Sequence, residues 1–301
     1  MKKVVITGAL SYSGKYIAEK LINQGHEVKT ITHSVNKPNP FGEKLKVELF
    51  HFDKPEKLLD SLQGSDILVN TYWVRFNHSQ FNHSEAVANT KVMIEQAKKA
   101  GVKKFVHVSI TNPSLSSDLE YFRGKAELED YLIRSGLNYS IVRPAVLFGK
   151  NDILINNISW TIKHLPVAGV FGKGDYRLQP IHIDDFSDII VEESLSGENK
   201  IVNAIGLETF TYNELITKLM EIFNLHKPLV HVSPRTGYYF GKVISFLKND
   251  VTITREEIKG LMDNLLYVDD VPKGKIKLTE WARENKDTLG KNYASELSRR
   301  R

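Results

Sequence analysis

The chain has 301 residues, with 41 Lys and Arg against 36 Asp and Glu for a formal charge of +5, and is long enough for a full α/β core plus a smaller lobe. It has no cysteine, which excludes a disulfide framework, a thiolate metal site and a cysteine nucleophile. Its basic residues are scattered rather than gathered into a nucleic-acid stripe, no apolar run reaches membrane-span length, and the opening Met-Lys-Lys lacks a secretory pattern, so a cytoplasmic protein with a small-molecule partner is expected.

Residues 4–6, VVI, read as a short apolar strand of the kind that helices cover on both faces. Over 13–24, Ile17, Ala18, Leu21 and Ile22 recur at helical spacing and Gly25 supplies the stop. A strand at 26–32 is followed by HSVNKPNPFG, a loop by its prolines and asparagines. Then come strand 46–52, helix 55–62, strand 67–70, a long helix ending at 100–101, strand 105–109, a helix from about 122 to 134, and strand 139–143. This alternation predicts an α/β fold, a doubly wound parallel sheet with right-handed crossovers.

After Arg143-Pro144 the rhythm breaks. Residues 145–179 mix glycine-containing loops with one apolar stretch, and QPIHIDDF predicts a strand with Asp184 and Asp185 capping a helix. KIVNAIG gives a last strand, and from Thr211 the pattern is mainly helical, closing on one amphipathic segment over 279–297. The expected division is 1–150 with 180–205 as the sheet domain. Residues 151–179 with 206–301 form a smaller, mainly helical lobe, placed as a lid over the carboxyl ends of the strands.

The first strand-to-helix turn, TGALSYSG, carries the first chemical signal. Gly8 suits the sharp turn and Gly14 the close packing of helix on strand, while the amides of Leu10, Ser11, Tyr12, Ser13 and Gly14 open a helix N-terminus toward a pyrophosphate. Ser11 stands where a three-glycine loop has its middle glycine, and Lys15 adds a positive charge. The second strand ends in His33, Ser34 and Lys37 with no carboxylate, which favours NADP(H) over NAD, although NAD stays possible. At the end of the fourth strand, Asn70 and Thr71 could contact a cofactor ribose. Tyr72, Trp73 and Arg75 could line a substrate crevice, or Tyr72 and Trp73 could pack the distal lobe. His182 reads as a hydrogen-bonded structural histidine rather than a ligand contact, and His78 and His83 lack the partners of a metal site.

The segments TGALSYSGKYIA, VKKFVHVSI, YFRGKAELEDYLIRSGLNYSIVRPAVLFG, QPIHIDDF and ETFTYNELITKLMEIF together resemble the extended and atypical short-chain dehydrogenase/reductase superfamily. The likeness is to its NmrA-like members and to those similar to the NDUFA-type subunit of respiratory complex I. It implies a Rossmann domain and offers Tyr121 and Lys125 as the Tyr-x-x-x-Lys pair, with Lys125 also holding the nicotinamide ribose. A phenol four residues from an ammonium shares its helix face and is more easily ionised there. Ile110 stands where many members carry a substrate-orienting hydroxyl, leaving Ser109 or Thr111 to serve, and Ser11 departs from the family's G-x-x-G-x-x-G.

The intact Tyr121–Lys125 pair favours the first of three functions, the other two being alternatives. The first is an NADPH-preferring oxidoreductase acting on a carbonyl or hydroxyl by Tyr–Lys-assisted hydride transfer. The second is a non-catalytic NmrA-like sensor or assembly subunit. The third, a sugar-nucleotide epimerase or dehydratase, would want an arginine cluster that the distal lobe does not offer. A monomer or homodimer is expected, with no metal and no nucleic acid.

Overall fold

Short runs of Val, Ile and Leu, apolar on both sides, can form strands only where helices cover both faces of a sheet, and this arrangement dominates the first half of the chain. The structure, a computed structural model, describes residues 1–300 and the side chains of 1–299. In chain order the elements begin β1 (Lys3–Thr7), α1 (Tyr12–Asn23), β2 (Glu27–Thr32), β3 (Leu45–Leu49), α2 (Pro55–Leu62), β4 (Ile67–Asn70) and α3 (His83–Lys99). They continue with β5 (Lys104–Val108), α4 (Glu120–Arg134), β6 (Tyr139–Pro144), β7 (Val146–Phe148), α5 (Leu154–His164), β8 (Ala168–Phe171) and β9 (Arg177–Leu178). Next are β10 (Pro180–His182), α6 (Ile183–Leu195), β11 (Lys200–Ala204), β12 (Phe210–Thr211), α7 (Tyr212–Ile222) and β13 (Leu229–Val232). Four helices follow: α8 (Pro234–Lys248), α9 (Arg255–Met262), α10 (Leu278–Glu284) and α11 (Glu296–Arg300).

Seven strands form one sheet in the order β11-β6-β5-β4-β1-β2-β3. Ile6 of β1 pairs in parallel with Thr30 of β2 on one side and Val69 of β4 on the other. The strand order therefore reverses between β1 and β4, the place where doubly wound sheets open a crevice at their carboxyl ends. Val5, Ile31, Leu68, Phe105 and Ile141 from five neighbouring strands meet Leu58, Leu62, Met93 and Leu132 from the helices in one core. The α/β Rossmann architecture predicted from the strand–helix alternation is the one observed.

The chain divides into two compact units, 1–144 with 186–202, and 145–185 with 203 onward. The second unit starts earlier than residue 151 because β7 pairs in parallel with β10, which draws 146–148 and 180–182 together. Its core gathers Phe148, Ile155, Ile162, Val170, Leu178, Leu215 and Leu219. Two further small pairs, β8 with β13 and β9 with β12, belong to it. The strand β13 was hidden within a stretch whose periodicity reads as helical.

Three other local expectations are corrected. The third strand ends at Leu49 rather than at residue 52; the Phe50 amide makes one more bond, to Thr32 O, and the Phe50 and Phe52 rings stack on each other at 3.9 Å. Asp184 and Asp185 lie within the first turn of α6, and the Asp185 carboxylate accepts the amides of Lys275 and Ile276 at 2.7 and 2.8 Å, so it clamps a loop. The closing segment is two short helices rather than one, and between them Lys163 Nζ donates to the carbonyls of Lys286 and Leu289, at 2.6 Å each.

Candidate functional site

The turn after β1 is shaped by two glycines. Gly8 adopts φ +70°, a conformation that L side chains rarely take. A Cβ on Gly14 would lie 2.1 Å from the Gly8 carbonyl oxygen, far inside van der Waals contact, so helix and turn approach as only glycine permits. The Gly8 amide donates to Ile31 O at 3.0 Å, and the Ala9 amide to Thr30 Oγ1 at 2.9 Å, tying the turn to β2.

Ser11 occupies the N-cap position of α1, with extended backbone (φ −88°, ψ 177°). Its side chain is exposed and makes no capping hydrogen bond to the helix. The Oγ instead lies 3.3 Å from where a Gly8 Cβ would be. Ser, Thr, Asp and Asn at this position ordinarily satisfy a helix amide. Here the Ser11 side chain caps no amide and the first turn holds no acidic residue, so the positive dipole end of α1 is not offset by a side chain of that turn. A glycine turn leading into a helix N-terminus is the kind of cradle that suits a dinucleotide pyrophosphate. Leu10 is buried beneath the turn, and Tyr12 packs edge-on against Tyr16.

Across the switch point, Thr7 joins β1 to the loop after β4. Its hydroxyl donates to Asn70 Oδ1 at 3.1 Å and accepts the amides of Thr71 and Tyr72 at 2.7 and 2.9 Å. The Thr71 hydroxyl donates to Thr7 O, and Asn70 Nδ2 meets His107 Nδ1 at 3.1 Å. Asn70 is wholly buried and its amide is used on both sides. Asn70 and Thr71, the residues expected to contact a ribose, hold the loop after β4 to β1 through these bonds. Burial, and then the charge of Lys125, hold His107 well below its ordinary pKa, so it is neutral.

The next residues form two aromatic clusters. Tyr72 packs on Phe52 and Phe50 at 5.0 and 5.7 Å, and His33 stacks on Phe50 at 5.5 Å, making a wall at the carboxyl ends of β2, β3 and β4. Partial withdrawal from water lowers the pKa of His33. Phe50 and Phe52 were not singled out in the sequence, because they read as continuing a strand. Trp73 lies against α4, with its ring 3.0 Å from a Cβ built on Gly124. It stacks on His83 and meets Tyr121 edge-on. Tyr72 and Trp73 thus pack inside the sheet unit itself. Arg75 lies over the Phe76 ring at 5.7 Å.

Helix α4 begins two residues earlier than expected and brings Tyr121 into its first turn, with Lys125 one turn later. Lys125 is buried, donates to Val108 O at 2.7 Å and sits 4.2 Å above the Trp73 ring centre. Burial pushes its pKa down to about 7, against an opposing pull from Glu129. Ser109 is also committed. Its hydroxyl donates to Glu129 Oε1 at 2.5 Å, and Arg143 grips both oxygens of the same carboxylate. Buried Ser109 therefore serves a Ser109–Glu129–Arg143 network, whose members are far apart in sequence. Thr111 is fully buried, its amide donating to Pro144 O at 3.1 Å.

Among the described residues no helix is long and apolar enough to cross a membrane, and no group of three or more His, Asp or Glu could hold a metal ion.

Comparison with known proteins accords with this geometry. The model of a family described as NAD(P)H-binding matches residues 8–159. NADH dehydrogenase [ubiquinone] 1 alpha subcomplex subunit 9, mitochondrial, of Arabidopsis thaliana is 23% identical over 224 residues, 70% of this chain and 55% of that protein. The chain thus spans about half the length of that relative. Photosystem II assembly factor Ycf39 of Cyanidium caldarium is 29% identical over 247 residues, 81% of this chain and 78% of that one. Among solved structures, Citrobacter sp. triphenylmethane reductase complexed with NADP(H) shares the fold at a TM-score of 0.74. It is 15% identical, covering 94% of this chain and 99% of that one.

Proposed function

Since the chain belongs to the NAD(P)H-binding family, within the extended short-chain dehydrogenase/reductase superfamily, we propose that it prefers NADP(H) and serves as a binding protein of the sensor or assembly type. The observation that carries dinucleotide binding is the uncapped N-terminus of α1 beside the Gly8–Gly14 contact. The preference rests on His33, Ser34 and Lys37 in the segment that ends β2, which carries no carboxylate of its own to repel a 2′-phosphate.

Two features support binding over turnover. Ser109, one of the two hydroxyls expected to orient a substrate oxygen, is spent on Glu129. Lys125, with its pKa near 7, is only partly charged at neutral pH and so is a weak stabiliser of a Tyr121 phenolate. The relatives named above as a complex I subunit and an assembly factor are consistent with a role inside a larger assembly.

A second reading, an oxidoreductase, is favoured by Tyr121 and Lys125 sharing one face of α4, with the lysine at the carboxyl end of β5. A bound nicotinamide would supply or accept the hydride, and Tyr121 would exchange a proton with the substrate oxygen. A panel of carbonyl substrates with NADPH separates the readings. The binding reading predicts no NADPH oxidation by the wild-type protein and unchanged NADPH affinity in Tyr121→Phe. Turnover that Tyr121→Phe abolishes would establish the oxidoreductase.

A further inference from the structure

Helix α8 is built inside out. Its buried face is Gly237, Gly241 and Ile244. A Cβ on Gly237 would come within 2.4 Å of the Phe171 ring, and one on Gly241 within 2.7 Å of Ile253, so small residues let the helix settle directly on its neighbours. Its large apolar side chains face outward. Phe246 is 86% exposed, Leu247 73% and Tyr239 63%, with Val243 and Phe240 beside them. At 100° per residue these five span a sector of about 120°. Isolated exposed apolar residues need no explanation, but a continuous stripe marks an interaction surface.

Charge identifies the partner. Helix α8 carries Arg235, Lys242 and Lys248 and no acidic residue. Arg235 and Lys242, seven positions apart, flank one edge of the stripe. Beyond them the Arg255 guanidinium lies 4.7 Å from the Tyr238 ring centre, and Lys242 Nζ 5.7 Å from it. Acidic residues lie nearby in sequence, Asp250 just past α8 and Glu256 and Glu257 in the first turn of α9, but none is on α8 itself. Asp250 is buried against the Tyr293 hydroxyl and the amides of Glu296 and Leu297, and Glu257 caps α9. A second copy docking this face by two-fold symmetry would bring like charges together. An apolar, aromatic stripe edged by Lys and Arg is instead the composition of a helix lying in the interface of an anionic bilayer.

We propose that α8 docks the protein peripherally on anionic membrane surfaces. Flotation of the full chain with phosphatidylcholine vesicles, with and without about 30% phosphatidylglycerol, tests this. The wild-type protein should float with the anionic vesicles, release at high salt, and leave the neutral ones largely unbound. The double change Phe246→Ser with Leu247→Ser should weaken binding at least tenfold, as should Arg235→Glu with Lys242→Glu. All four side chains are exposed, so the far-UV spectrum and melting temperature should stay those of the wild type. Absence of flotation with anionic vesicles, or equal flotation of the variants, overturns the proposal. So does a wild-type dimer that the serine pair converts to monomer, which would assign the face to a second copy.

Discussion

Replacing Lys125 with methionine tests the electrostatics at the centre of the site. The lysine is fully buried, and its pKa falls from 10.5 to about 7. An unfolded lysine keeps its proton up to about pH 10.4. Between about pH 7 and 10 the unfolded chain therefore binds more protons than the folded one, and stability must rise with pH. The penalty of a buried ammonium is fully present below pH 7 and disappears above the unfolded pKa. Worked through the two pKa values, this amounts to about 3 kcal/mol between pH 6.5 and 9.5. Methionine has similar length and no charge. It leaves Val108 O without its donor, at a cost of about 1–3 kcal/mol, but that cost does not depend on pH. Urea unfolding of both proteins across this range should give a difference that shifts by about 3 kcal/mol in favour of the wild type as pH rises. Parallel curves would refute the desolvation argument, and with it one of the two reasons for reading the site as a binder.

Gly14→Ala should cost about 2–4 kcal/mol and weaken dinucleotide binding at least tenfold, because its Cβ would sit 2.1 Å from Gly8 O. Urea unfolding paired with a titration checks both parts, and unchanged values would contradict the turn geometry. In the second unit, burial pushes Asp152 up to about 7. The folded chain then holds a proton that the unfolded chain loses between about pH 4 and 7, so stability falls as pH rises through that window. Asp152→Asn should flatten the fall, measured as the wild-type minus variant difference across the same range.

How far the sequence spoke for the fold follows from which signals are local. The β1–α1 turn was readable because Gly8 and Gly14 carry its geometry within seven residues, and the order of sheet elements followed from periodicity. The start of α4 was misplaced by two residues, because Leu119 at its N-cap makes no side-chain capping bond and leaves no signature. The commitments of Ser109 and Asn70 were invisible for another reason. Their partners, Glu129, Arg143, Thr7 and His107, lie 14 to 63 positions away along the chain or through one another, and only the folded sheet brings them together. The outward apolar face of α8 escaped notice because periodicity identifies an amphipathic helix without saying which face turns inward. Glycines took the inner side here.

Titration of the wild-type protein with NADPH and NADH bears most directly on the proposed function, which depends on the turn before α1 receiving a pyrophosphate. Trp73, packed over Lys125, provides an intrinsic fluorescence reporter. Saturable binding of both nucleotides, with NADPH the tighter, is the predicted result. If neither binds at millimolar concentration, the turn is not a dinucleotide cradle and the proposed function fails.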